Sequence, residues 1–331
     1  MKATKKIKRG LILIVLGTAI SFLFSISTAQ AAYPEKPVQV FVPYGAGGET
    51  DIAIRFLASV IPQFIGQSMV VINKTGASGA ICFEYISKQI KPDGYTLMGA
   101  AIGSNAIVPA QNLKLPFKFD DLTFIARTQF NPTMLAVRSD SPFKTLNDLL
   151  EYIRKNPKKL KFSTAGVQTV QNLGNMVLMK SAKIPIDYVS AVHYDSGAEA
   201  TFSLLRGDVD FLYNNTPLVI PQVKAGKLRG LLVPAKLKEF PDIPTSEQLG
   251  YPDVDIVGWR GLCGPPGLPD SVVNLWAEAV KKTMEHKSWQ KMVENIGDLP
   301  AYLSPEDFKK FVTAEVKRYR DIYTELGLLI K

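Results

Sequence analysis

The sequence predicts an α/β protein with two domains, and three observations support this class. Short segments rich in β-branched and aromatic residues alternate with amphipathic segments of roughly ten residues, which is the pattern of parallel β-α-β units. The 331 residues exceed the needs of one small core, since domains average roughly 150 residues. The hydrophobic fraction of 46% is ordinary for a globular protein and excludes both wholesale disorder and a polytopic membrane protein.

The first half of the chain repeats a strand, loop and helix plan. Residues 38–42 are mostly β-branched or aromatic and predict a strand, while apolar residues at three- and four-residue spacings predict a helix from Ile52 onward. The plan then recurs, and we predict a strand at 69–72, a turn at 76–79, a helix at 80–89, a loop at 92–94 and a strand at 95–101.

The second half begins with an extended segment at 123–137 and continues as another β-α series. Ser304 followed by Pro305 and two acids is typical of a helix start and predicts the last helix at 305–325. The other predicted elements are, in order, helix 146–154, strand 161–164, helices 171–182 and 198–205, strands 209–213, 228–233 and 257–263, and helix 271–285.

The amino end of the chain has the features of an export signal. Five basic residues, an apolar run at 11–26 and the small residues Ala29 and Ala31 predict a signal peptide, residues 1–31, cut before Ala32. An uncleaved anchor is the alternative, but the run is shorter than the ~20 residues that span a bilayer. Removing the five basic residues lowers the formal charge from +9 to +4, which argues against nucleic-acid binding. No cysteine lies near the cleavage site to accept a lipid, so we expect an unlipidated protein. An unlipidated exported protein stays with its cell only where an outer membrane retains it, so we expect a Gram-negative periplasm.

The two cysteines, Cys82 and Cys263, are too few for a disulfide scaffold and too far apart in sequence for a thiolate-ligated metal site. An oxidising compartment allows a bridge between them. Their apolar or small-residue neighbourhoods favour two buried free thiols instead.

Three loops rich in glycine and hydroxyl residues follow predicted strands, at 45–51, 103–105 and 163–169. In open parallel sheets, ligands sit beyond the carboxyl ends of the strands, where helix N-termini present unpaired N–H groups to anions. Each loop taken alone is equally explained as a tight turn with a helix cap.

Enzyme motifs are incomplete in this chain. Thr50 stands where a dinucleotide-binding fingerprint needs its third glycine, and there is no phosphate-loop motif. His193 and His286 have neither metal-ligand spacing nor an identifiable nucleophile. Candidate acids that lack a convincing catalytic partner are Glu49, Asp51 and Asp195. We therefore predict no catalytic residue, metal or cofactor, and a secreted hydrolase is the weakest alternative.

An ordered set of motifs resembles the periplasmic binding proteins of tripartite tricarboxylate transporters, the TctC or Bug family. No single motif is unique to the family, but together they cover essentially the whole chain after the leader. The matching segments are 33–38 (YPEKPV), 42–51 (VPYGAGGETD) with Arg55, 76–79 (GASG), 92–97 (PDGYTL), 194–197 (YDSG), 205–210 (LRGDVD), 225–229 (AGKLR), 241–245 (PDIPT) with Gly250, 259–262 (WRGL) and 265–269 (PPGLP).

The resemblance implies a two-lobed periplasmic binding protein fold of type II, the Venus-flytrap arrangement, with each lobe a mainly parallel sheet flanked by helices. Lobe 1 would comprise 33–130 plus 255–331, and lobe 2 would comprise 131–254. It also implies a monomer that captures a small carboxylate, such as a tricarboxylate, dicarboxylate, amino acid or aromatic carboxylate. The implied partners are a large and a small integral membrane subunit. A sensing module that presents its closed form to a membrane receptor would share every motif.

The resemblance further implies that the carboxylate is held mainly by backbone N–H groups, hydroxyls and waters. The expected ligand-binding residues are Tyr44, Gly47, Gly48, Thr50, Asp51, Gly103, Ser104, Asn105, Ser163, Thr164, Gly166, Thr169, Tyr194, Asp195, Asn214, Trp259 and Arg260.

Three positions depart from the family pattern: Asn172 stands where a histidine is frequent, Asp195 where a lysine is common, and Arg260 where the residue is usually aromatic or polar. Arg260 is expected either to make a bidentate carboxylate contact or to pair at the surface. Asp195 is expected either to receive a ligand amine or to face solvent.

Overall fold

The computed structural model describes residues 33–331, and within that range the chain alternates strands and helices. The strands are β1 (Val38–Val42), β2 (Met69–Asn73), β3 (Thr96–Ala101), β4 (Thr123–Asn131), β5 (Thr133–Arg138), β6 (Leu160–Thr164), β7 (Val189–His193), β8 (Phe211–Asn215), β9 (Leu228–Leu232), β10 (Gly258–Gly264) and β11 (Leu299–Leu303). The α-helices are α1 (Glu49–Val60), α2 (Pro62–Ile65), α3 (Ala80–Gln89), α4 (Val108–Gln111), α5 (Leu146–Lys155), α6 (Val170–Ser181), α7 (Gly197–Arg206), α8 (Thr216–Lys224), α9 (Asp270–Glu285), α10 (Lys287–Asn295) and α11 (Pro305–Glu325).

The strands form two sheets. The first sheet has six strands in the order β11-β4-β10-β3-β1-β2, and the second has five in the order β7-β6-β8-β5-β9. Strand β1 runs parallel to β2 and β3, and β6 runs parallel to β7 and β8, as the β-α-β pattern predicts. The other pairings, made by β10 and β11 in the first sheet and by β5 in the second, are antiparallel. The α/β class is confirmed, but the sheets are mixed rather than mainly parallel, because the strands near each crossing run against their neighbours.

The chain crosses between the sheets at Pro132 and again before β10. The extended segment predicted at 123–137 is therefore two strands, β4 in the first sheet and β5 in the second. Proline has no N–H to continue a ladder, which accounts for the break. The two crossings lie side by side, since the Thr133 hydroxyl donates to the Ile256 carbonyl at 2.8 Å and the Tyr213 hydroxyl donates to the same oxygen at 3.1 Å.

The predicted strands and helices are confirmed with small shifts at their ends, and several elements went unpredicted, among them the four-residue helices α2 and α4. Helix α8 contains Pro217 and Pro221, and strand β11 contains Pro300, so prolines concealed both. Strand β7 is an exposed edge strand with little hydrophobic alternation, and helix α10 follows α9 after a single residue.

The last helix, α11, shows how the core is assembled. Its buried residues recur every three or four positions and so lie on one helical face. They are Phe308, Val312, Val316, Tyr319 and Tyr323. The predicted N-cap is confirmed, because the Ser304 hydroxyl accepts from the Asp307 N–H at 3.2 Å. Trp259 of β10 packs edge-on against Phe308 and is fully buried.

Residues 36–331 form one compact unit. Both cysteines in it are free and buried, and burial raises the pKa of the Cys82 thiol to about 12. In residues 33–331, the helices are all too short or too polar to span a bilayer. The predicted signal peptide lies outside the described residues.

Candidate functional site

Asp51 organises the glycine-rich loop that leads into α1. Its Oδ2 accepts from the Gly47 N–H and from Arg55 Nε, both at 2.9 Å, and its Oδ1 accepts from Asn73 Nδ2 at 2.9 Å. Burial raises the pKa of Asp51, but the hydrogen bonds from Arg55, Gly47 and Asn73 outweigh burial and hold the pKa below its ordinary value. Gly47 has a φ of +73°, which favours glycine there. Asp51 therefore fixes the loop and the start of α1.

Glu49, the first residue of α1, forms a buried ion pair with Arg260. Its Oε1 lies 3.0 Å from Arg260 Nη2, and the Arg260 side chain is 1% exposed. Gln171 Nε2 donates to the same oxygen at 3.4 Å and to Asn214 Oδ1 at 2.9 Å. Glu49 and Arg260 belong to the first sheet and its helices, whereas Gln171 and Asn214 belong to the second. The hydrogen bond from Gln171 to Glu49 thus joins the two halves of the molecule.

Helix N-termini converge on this pair. Helix α1 begins at Glu49, α6 is capped by the Thr169 hydroxyl, and α7 is capped by the Ser196 hydroxyl. The Glu49 carboxylate lies directly over the first residue of α7, because a Cβ at Gly197 would come within 2.8 Å of Oε2. Unpaired N–H groups and the helix dipole make such positions favourable for anions.

Two neighbouring spaces lie between the loops of the two sheets. The inner cavity, of about 10 Å³, is lined by Tyr44, Glu49, Ala101, Ile102, Gly103, Ala165, Thr169, Val170, Gln171 and Arg260. The outer groove, of about 290 Å³, is lined by Pro43, Tyr44, residues 75–79, residues 165–167 and residues 193–195. They share the lining residues Tyr44 and Ala165 and so lie next to each other, and together they are called the cleft. The Tyr44 hydroxyl donates to the Ser78 carbonyl at 3.1 Å.

The structure brings together seven of the residues expected from the sequence. Tyr44, Gly103, Thr169 and Arg260 line the inner cavity, and Gly166, Tyr194 and Asp195 join Tyr44 at the outer groove. Arg260 is not at the surface, so its pairing is an internal one with Glu49. Asp195 is exposed at the edge of the groove. The expectation that Asp195 contacts a ligand stays a prediction.

The other expected residues line neither space, and several of them hydrogen-bond or pack within the protein, although the buried Thr50 hydroxyl has no partner among residues 33–331. Ser163 donates to the Ala200 carbonyl at 2.8 Å, and Thr164 contacts His193 Nδ1 at 2.7 Å. Asn105 Oδ1 accepts from Ser104 Oγ at 2.7 Å, and Trp259 packs in the core. The rest of this group is Gly47, Gly48, Thr50, Asp51 and Asn214.

A second buried carboxyl, Asp298, lies behind the pair. Its Oδ2 accepts from Gln129 Nε2 at 2.5 Å and also from Asn131 Nδ2. Burial raises the pKa of Asp298 well above its ordinary value, against the opposing effect of these amides and of Arg260. Asp298 and Gln171 were not expected from the sequence, and Glu49 was expected there only as a candidate acid without a catalytic partner.

The arrangement suits binding by hydrogen bonds and charge. In the part of the chain that the structure describes, no three His, Cys, Asp or Glu side chains are placed to hold a metal ion. Two mixed sheets joined by two crossings, with helix N-termini facing a cleft between them, define a solute-binding protein.

Comparison with known proteins gives the family. Residues 53–328 match the model of the tripartite tricarboxylate transporter family receptor, TctC, and the chain belongs to this family. It is similar to a UPF0065 protein of Bordetella pertussis, with 30% identity over 93% of this chain and 95% of that protein. The members of the family are periplasmic solute-binding proteins rather than enzymes, which confirms the predicted class.

Solved structures agree with this assignment. The periplasmic binding protein BugD has a TM-score of 0.84 and 25% identity, covering 90% of this chain and 99% of BugD. Rpa4515 of R. palustris with adipate has a TM-score of 0.84 and 26% identity, covering 90% and 99%. MatC from Rhodopseudomonas palustris with bound malate has a TM-score of 0.82 and 25% identity, covering 88% and 99%.

Proposed function

We propose that this protein captures a small carboxylate in the cleft and delivers it, as a monomer, to the large and small membrane subunits of a tripartite tricarboxylate transporter. The observation that carries the proposal is the convergence of the N-termini of α1, α6 and α7 on the buried pair of Glu49 and Arg260. The helix N-termini and the Arg260 guanidinium favour an anion. Malate and adipate in two similar structures support a carboxylate as the ligand class.

We further propose that capture closes two lobes around the ligand. A division close to the predicted boundaries at 131 and 254 is supported by the sheets, since β5–β9 form one sheet and the remaining strands, including β4 up to Asn131, form the other. Small-angle scattering of the ligand-free and ligand-bound protein tests this, and we expect a smaller radius of gyration when ligand is bound. An unchanged radius on saturation would contradict closure.

Native mass spectrometry of protein purified from the periplasm without refolding is the direct test of the ligand. We expect a retained small carboxylate, since a closed cleft releases its ligand slowly. The same measurement tests the leader, because the intact mass should correspond to a chain that begins at Ala32. A retained molecule without a carboxylate would overturn the proposed function.

The glycine loop supplies a test of the binding mode. A Cβ at Gly48 would lie 3.1 Å from the Gly45 carbonyl, so Gly48→Val should displace the loop backbone and its N–H groups. A hydrogen bond to a charged group contributes about 1.5–3 kcal/mol, so we expect at least about tenfold weaker affinity by calorimetry. Ala46→Val, at an exposed position of the same loop, is the matched control. A folded Gly48→Val protein with unchanged affinity would place the carboxylate elsewhere.

A further inference from the structure

The inner cavity contains buried polar atoms whose hydrogen-bonding capacity is unused. Arg260 Nε and Gln171 Oε1 are both buried and have no hydrogen-bond partner among residues 33–331. Arg260 and Gln171 are each 1% exposed, and both side chains line the inner cavity. Arg260 Nε is a donor and Gln171 Oε1 is an acceptor. A ligand that satisfies both atoms must therefore offer an acceptor and a donor.

The charges at the cleft give a second, independent indication. Apart from His193, the charged side chains that line the inner cavity and the outer groove are Glu49, Asp195 and Arg260. Arg260 is the cation, and it is already balanced by Glu49 at 3.0 Å. A dicarboxylate would add two negative charges to a lining that already carries more acid than base, and like charges at close range are unfavourable.

An unsubstituted dicarboxylate also lacks the required donor. An ionised carboxylate only accepts hydrogen bonds, so it can satisfy Arg260 Nε but leaves Gln171 Oε1 unpaired. A buried polar group without a partner lowers affinity. An ammonium group supplies the missing donor and also contributes a positive charge beside Glu49.

We propose that the cleft takes a zwitterionic amino carboxylate, whose carboxylate binds Arg260 and whose ammonium group binds Glu49 and Gln171. In this structure Glu49 and Arg260 pair with each other. On capture, each of them pairs instead with the ligand group of opposite charge. The buried site is therefore neutral both without and with ligand. Glu49 and Arg260 are then the residues that determine ligand charge. This inference rests on the proposed function, since it specifies which carboxylates the receptor accepts.

Calorimetry with length-matched ligands tests the inference on the mature wild-type protein. The probes are succinate, glutarate and adipate against γ-aminobutyrate, δ-aminovalerate and ε-aminocaproate, together with the standard L-α-amino acids. We expect at least one amino carboxylate to bind at least about tenfold more tightly than any of the dicarboxylates. Tighter binding of a dicarboxylate, or binding of none of the amino carboxylates, overturns the inference.

Glu49→Gln gives the residue-level test. The variant keeps the side-chain shape and removes the charge, so amino carboxylate affinity should fall at least about tenfold while dicarboxylate affinity rises. Glu278→Gln, at an exposed i,i+4 pair with Lys282 on α9, is the control and should bind like the wild type. Circular dichroism confirms the fold of each variant, and the wild-type ligand panel decides the question if Glu49→Gln does not fold. Unchanged selectivity in folded Glu49→Gln contradicts the role of Glu49.

The two proposals fail in different ways. Preference for a dicarboxylate removes the inference and leaves the carboxylate receptor intact. A ligand retained from the periplasm that carries no carboxylate removes both.

Discussion

The carboxylate of Glu49 rests over the α-carbon of Gly197, so the start of one helix touches the start of another across the cleft. A Cβ at Gly197 would come within 2.8 Å of Glu49 Oε2. Because the two residues belong to α1 and α7, which flank different sheets, this contact measures how closely the two halves approach each other. This contact requires glycine at position 197, because a Cβ there would collide with the Glu49 carboxylate.

Gly197→Ala should therefore hinder closure. The added methyl group would also meet Leu218 Cδ1 at 2.7 Å, so several neighbours must move. We expect ligand affinity to fall at least about tenfold, since over-packing typically costs about 1–3 kcal/mol. Calorimetry measures the affinity, and a thermal melt without ligand measures the effect on folding. An affinity equal to that of the wild type would show that the halves do not approach this closely in the bound state.

Arg260 and Glu49 should show strong coupling in a double-mutant cycle. Arg260→Gln leaves the Glu49 carboxylate buried without its partner, which typically destabilises a protein by about 3–5 kcal/mol. The double variant Arg260→Gln with Glu49→Gln removes both charges and should recover much of that loss. Urea unfolding of the four proteins measures the coupling. Additive effects of the two substitutions would mean that the pair does not form in solution.

Asp298 should make the protein less stable as the pH rises. Burial raises its pKa above the value in the unfolded chain, so the folded state binds the proton more tightly. Its stabilising contribution is complete below the unfolded pKa, near about 3.9, and is lost as the pH rises through the folded pKa. Asp298→Asn removes this loss, so the variant should be at least as stable as the wild type at neutral pH. Urea unfolding from acid to neutral pH measures the difference, and a parallel pH dependence in both proteins would contradict it.

Gly103→Ala should displace the Tyr44 side chain, which lines the inner cavity. A Cβ at Gly103 would overlap Tyr44 Oη, so the hydroxyl must leave the Ser78 carbonyl. We expect lower thermal stability and weaker ligand binding. Tyr44→Phe removes the hydroxyl, so Gly103→Ala in that background should have a smaller effect. Equal losses in the two backgrounds would show that the hydroxyl is not the atom in conflict.

Much of the fold was predictable because periodicity is a local property of the sequence. The cap at Ser304 and the glycine loop before α1 follow from short-range chemistry, and the structure has both, although α1 begins at Glu49 and so takes in the last three residues of the predicted loop at 45–51. Pro132 was visible in the sequence, yet the residues on both sides of it fit one continuous extended segment. The transfer of the chain between sheets at that point depends on long-range pairing, which the local pattern does not encode.

The site was only partly predictable for the same reason. Arg260 departs from the family pattern and Glu49 is a candidate acid in the sequence, but the two lie far apart in the chain and their pairing is visible only in three dimensions. Gln171 falls within a predicted helix, where an amide has no distinctive signature. Asp298 follows a glycine in a segment without a predicted element, and its burial comes from Gln129 and Asn131 of a distant strand.

The two adjacent crossings, at Thr133 and Ile256, affect how much conformational entropy the protein loses when it binds ligand. A single linker would leave one half free to twist, tilt and slide against the other. Two adjacent segments held together by hydrogen bonds resist twisting and sliding, and they leave bending as the soft direction. In the proposed closure, the halves would therefore move mainly along one angle, and only a small part of the ligand's interaction energy would be needed to order them.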